Sequence, residues 1–151
     1  MELIEINSGF QISVGSPEPI ILANDHVLSL SFYIESENEK TITLLFKNKS
    51  YFRLGIPNDE AIFGHPYRIL GLESHSFYEL KQSDLIENLK KISSIHPQYD
   101  SKRWLEYKHY ILTFHDNMFE CIAKDFEIRE ENTSLYSKAT IMLNELSIRH
   151  F

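Results

Sequence analysis

A chain of 151 residues, 42% hydrophobic with ten Phe and eight Tyr, excludes a disordered polymer and can bury about 70% of the surface its unfolded form exposes. The net charge of −7 is uneven: residues 1–39 hold seven carboxylates and no Lys or Arg, and residues 40–151 balance acids against bases. That layout disfavours direct nucleic-acid binding, which calls for a positive stripe, and favours a basic protein partner. The lone Cys121 excludes an internal disulfide, and no stretch approaches the roughly 18 apolar residues of a membrane helix. The expectation is one globular domain over 1–151, cytoplasmic, off the membrane and without a cofactor. Oligomeric state is not legible.

The N-terminal third reads as strands. LIEIN and FQISV could each supply one, and Pro17 and Pro19 then interrupt the ladder because proline donates no hydrogen bond. HVLSLSFYIES (26–36) alternates Val27, Ser29, Ser31 and Tyr33 with Leu28, Leu30, Phe32 and Ile34, the period of a strand with one buried face. TITLLFK (41–47) and YFRLGI (51–56) follow after short polar links, so the three predict an antiparallel meander.

Residues 55–76 hold three of the five glycines and two of the five prolines without a sustained period. They predict a long loop, and long loops in compact domains are often functional. FYEL is a short strand. SDLIENLKKISSI then predicts a helix with Ser83 as N-cap, Asp84 in the first turn, Lys90 and Lys91 in the last, and Leu85, Leu89 and Ile92 on one face. Asp100 or Ser101 can cap a further turn or two carrying Trp104 and Tyr107, which packing against a sheet would use. In the last segment, Leu135, Ala139, Met142, Leu143 and Leu146 form an apolar helical stripe, with Asn132 or Thr133 as cap. These elements predict an α+β fold: an antiparallel sheet of six to eight strands, an N-terminal meander and a C-terminal hairpin, packed by two or three helices.

The densest set of reactive side chains is HYILTFHDNMFECIA, residues 109–123. Strand periodicity puts His109, Ile111, Thr113 and His115 on one face and Tyr110, Leu112 and Phe114 on the core face. At ~3.3 Å per residue, His109 and His115 stand about 20 Å apart, too far to share a metal. A two-residue turn at Asp116–Asn117 sets His115 against Met118, makes His115 and Glu120 diagonal neighbours, and turns Cys121 to the aromatic face. His65 and His96, each before a proline, are expected to cap carbonyls.

Two functional readings follow. An acidic α+β domain without a nucleotide-binding glycine loop, a serine elbow or a zinc-ligand motif suits a binding protein of the inhibitor or immunity type. Its contact residues would be Glu35, Glu37, Glu39, Asp59, Glu60, His115 and Asp116. The alternative is a metal-dependent hydrolase whose site forms where the 55–76 loop meets the 109–123 hairpin. There His65, His115 and Glu120 would be ligands or catalytic groups, with Asp59 or Glu60 completing the set.

Overall fold

The computed structural model describes residues 1–149; the last two residues of the C-terminal segment lie outside it. Over the described residues the fold is α+β, with nine antiparallel strands in two sheets and helical elements on their outer faces. One sheet holds β2 (Ile20–Ala23), β3 (Val27–Tyr33), β4 (Thr41–Lys47) and β9 (Asp125–Glu131) in that order. The other has the order β1 (Glu2–Glu5), β6 (Phe77–Lys81), β7 (Lys108–Thr113), β8 (Met118–Ala123) and β5 (Tyr51–Gly55).

The two sheets pack face to face through their inward alternate residues. Leu28, Leu30, Phe32, Ile42, Leu44 and Phe46 meet Phe77, Tyr110, Leu112, Phe114, Phe119 and Cys121 in one buried cluster. Aromatic rings cross the seam, as in Phe32–Phe114 at 5.2 Å and Phe46–Phe119 at 5.6 Å between centroids. Truncating a core residue such as Leu44 to Ala costs about 2–5 kcal/mol, from lost transfer energy plus the cavity left behind.

The expected meander stops after two strands. β3 and β4 pair throughout, but β5 crosses to the second sheet and pairs with β8, where Phe52 opposes Cys121 and Arg53 opposes Glu120. Its place beside β4 goes to β9, a strand that DFEIREE conceals under charge because its ladder is an edge with half-exposed residues. FQISV forms no strand, only a bridge from Ile12 to Ile34, and IILA supplies β2 directly after Pro19.

The serine face of β3 is also buried. α2 (Leu135–Arg149) lies across β2 and β3, so Ser29, Ser31, Thr41 and Thr43 are enclosed beneath it, with Ser31 Oγ 2.5 Å from Thr43 Oγ1. The inward stripe of α2 is Leu135, Lys138, Met142 and Leu146, whereas Ala139 and Leu143 are exposed. Its cap is Ser134, whose Oγ accepts the Ser137 N–H at 3.1 Å, in place of Asn132 or Thr133.

The far face of the second sheet is covered by the 56–76 loop. Ile62, Tyr67 and Leu72 pack there on Tyr78, Leu80, Ile111 and Met118. Two 3-10 turns, Ile62–Gly64 and Pro66–Leu70, order the loop, and Gly71 ends the second at φ 102°, where a Cβ would be strained. α1 (Asp84–Ser93) begins as expected, with Ser83 Oγ accepting the Ile86 N–H at 3.1 Å. None of its residues is fully buried.

Candidate metal centre

The loop and the hairpin do meet, with a donor set that the sequence reading only partly identifies. Asp59, His75 and His115 place one ligand atom each within 4.8 Å of one another, the one such group among the described residues. His115 Nδ1 is 2.8 Å from Asp59 Oδ2, and His75 Nε2 is 3.5 Å from the same oxygen. Donors bound to one ion at about 2.0–2.1 Å and tetrahedral angles are about 3.3 Å apart, so these spacings suit a common cation.

The backbone builds this convergence. The Asp59 N–H donates to the His115 carbonyl at 3.0 Å, tying the loop to the hairpin turn. On the other side, Thr113 N–H donates to Ser76 O, Thr113 Oγ1 donates to Glu73 O at 2.7 Å, and Ser76 N–H donates to Thr113 Oγ1 at 3.0 Å. These bonds fix residues 73–76 against the end of β7 and hold His75 between them. His75 has φ 55°, in the left-handed region that costs an L-residue about 1–2 kcal/mol.

The electrostatics match an interrupted ligand set. The His75 Nε2 atom is buried without a hydrogen-bond partner, a costly state that a cation would relieve. The hydrogen bond and charge of Asp59 raise the His115 imidazole above its ordinary pKa, and a metal bound at Nδ1 would have to displace that hydrogen bond. Glu60 and Asp116, both exposed, add negative potential around His115.

Glu120 is not part of this group. The hairpin turn spans four residues, Phe114–Asn117, so Thr113 opposes Met118 and Ile111 opposes Glu120; the expected pairing of His115 with Met118 is displaced by two residues. The ladder ends early because Thr113 spends its N–H and hydroxyl on residues 73 and 76 and the His115 carbonyl is taken by Asp59. The displacement preserves the face assignments, and Cys121 faces the aromatic core with its thiol pushed up in pKa by burial.

Glu120 instead joins His109. His109 Nε2 lies 2.9 Å from Glu120 Oε1, Arg53 donates to Glu120 Oε2 at 3.2 Å, and His109 Nδ1 lies 2.7 Å from Ser83 Oγ. Serine, histidine and carboxylate in a row resemble a nucleophile relay, but here the serine is spent. Ser83 is buried, its oxygen accepts the Ile86 N–H, and the Leu85 N–H at the same helix start goes to Asp84 Oδ1 at 2.9 Å. With the imidazole as the Nε2–H tautomer, every member of the chain is satisfied, which makes it a brace between α1, β7 and β8.

His65 lines a cleft with Glu120, Tyr67 and Asp84, apart from the Asp59 group. Its Nδ1 accepts the Tyr67 N–H at 3.0 Å, and His96 Nδ1 accepts the Gln98 N–H at 3.0 Å, so both histidines cap N–H groups and not carbonyls. Burial lowers the His65 pKa despite the charge of Glu120, in keeping with a neutral acceptor. Glu35, Glu37 and Glu39 are exposed; Glu35 Oε1 accepts the Val14 N–H at 2.8 Å and Glu39 accepts from the Tyr33 hydroxyl at 3.3 Å.

An aspartate with two histidines leaves coordination positions for water or substrate, the donor set of hydrolytic zinc and of non-haem iron sites. No protein-family model matches the chain, and no curated protein or solved structure is similar enough to assign a relative. No described helix is long and apolar enough to cross a membrane.

Proposed function

We propose that the protein is a metal-dependent hydrolase whose ion is held by Asp59, His75 and His115. The observation that carries this reading is the convergence of three donors from two separate chain segments, one of them a buried imidazole nitrogen without a hydrogen-bond partner. The two histidines and the carboxylate would hold zinc or another first-row divalent ion, and a bound water brought towards a pKa of about 7 would be the nucleophile. Glu60 and Asp116 are the carboxylates near His115 that could accept a proton from that water.

The inhibitor reading has the acidic N-terminal surface behind it and nothing more specific. The metal reading is favoured because it accounts for His75.

The test is calorimetric titration of the metal-stripped protein with zinc and cobalt, followed by assays on nitrophenyl esters and phosphoesters with each ion. Stoichiometric binding lost in Asp59→Asn, together with metal-dependent turnover, is expected. Absence of binding, or binding that survives Asp59→Asn and His75→Gly combined, overturns the site. Binding without turnover on any ester class overturns the hydrolase.

A further inference from the structure

A second feature lies on another face, between the end of α1 and the 3-10 turn Ser101–Glu106. A groove of about 640 Å³ opens there, lined chiefly by Ile92, Ile95, Tyr99, Arg103, Trp104 and Tyr107. That volume is in the range of small-molecule sites, roughly 300–1,000 Å³. The sequence favours sheet packing for Trp104 and Tyr107. They are instead half-exposed and turned into the groove, with ring centroids 5.3 Å apart.

The lining is apolar where solvent reaches it. Ile92 is 69% exposed and Ile95 90% exposed, on a wall continuous with the three aromatic rings. Two of the polar side chains are tied to backbone: His96 Nδ1 accepts the Gln98 N–H, and Asp100 Oδ1 accepts the Lys102 N–H at 3.0 Å. Arg103 supplies the one guanidinium of the lining. Among the described residues its side chain makes no hydrogen bond, ion pair or ring contact, while neighbouring Lys124 is paired with Glu106 at 2.9 Å. A free guanidinium beside an aromatic wall selects a ligand with a flat apolar body and a carboxylate, which Arg can bind through two parallel N–H bonds.

We propose that this groove binds a small carboxylate with an aryl or alkyl body, the acid group on Arg103 and the body against Trp104, Tyr99 and Ile95. The site is independent of the metal centre.

Trp104 is the only tryptophan in the chain, so its fluorescence reports on the groove alone. The probes are phenylbutyrate and its neutral amide, phenylbutyramide, titrated against the full chain. Saturable change with the acid is expected, with the amide about tenfold weaker, since a hydrogen bond to a charged partner contributes about 1.5–3 kcal/mol. Arg103→Gln should bring the acid down to the level of the amide, and Ile95→Asp should weaken both. Both substitutions sit on exposed side chains, and circular dichroism checks that they fold. No saturable change with the acid, an amide that binds as tightly as the acid, or acid binding indifferent to either substitution overturns the proposal.

Discussion

His109 and Glu120 meet diagonally across β7 and β8, with Nε2 2.9 Å from Oε1 and both side chains buried. Burial alone would push the Glu120 carboxyl up in pKa, but the bonds and charges of His109 and Arg53 more than offset this and hold it below its ordinary value of 4.5. A carboxylate depressed in the fold stabilises above its unfolded pKa and loses that contribution as pH falls through its folded value. Glu120→Gln should therefore cost about 1–3 kcal/mol at neutral pH. Its urea-derived stability should converge with that of the parent below pH 4.5. Parallel pH profiles for the two proteins would contradict this coupling.

His75 trades stability for its position. It combines a φ of 55° with a buried imidazole nitrogen that has no hydrogen-bond partner, so His75→Gly removes both penalties. The metal-free variant should be about 1 kcal/mol more stable than the parent. Zinc at about a hundredfold excess over its Kd should stabilise the parent by about 2.7 kcal/mol and leave the variant unchanged. Thermal melts with and without zinc read both effects. A variant less stable than the parent without metal would show that the left-handed histidine carries no strain.

Cys121 should be chemically silent in the folded protein. Its side chain is fully enclosed between the sheets, and burial raises the thiol pKa, so little thiolate forms and no path reaches it. Labelling with a disulfide reagent should be negligible without denaturant and complete in its presence. Fast labelling of the native protein would mean that the sandwich opens at β5 and β8.

Much of this architecture is local in origin, and so legible. The alternation in β3, the Ser83 cap and the two faces of the 109–123 hairpin each depend on residues within a few positions of one another. What lies beyond the sequence is which segments meet. β5 leaves its neighbour β4 for β8, and no property of YFRLGI announces that choice. Asp59 and His115 are candidates by residue type and loop context, whereas His75, flanked by two serines, joins them through hydrogen bonds from Thr113 to residues 73 and 76. The hairpin register slips by two residues for the same reason, since the turn makes contacts outside the hairpin.

Lys138 interrupts the inward stripe of α2, and that interruption makes an asymmetric prediction. Its side chain is fully buried and ion-paired with Glu131, which is itself part-exposed on the edge strand β9. Removing the acid strands a buried ammonium, whereas removing the base leaves a carboxylate that water can solvate. Glu131→Gln should thus cost about 3 kcal/mol. Lys138→Met, which keeps the length of the side chain and sheds the desolvated charge, should cost less than about 1 kcal/mol. Chemical denaturation of the two single variants and the double variant gives the pair's coupling energy directly. Equal losses in the two single variants would indicate that water reaches Lys138 under α2, and the enclosed serine and threonine layer of β3 and β4 would then be hydrated as well.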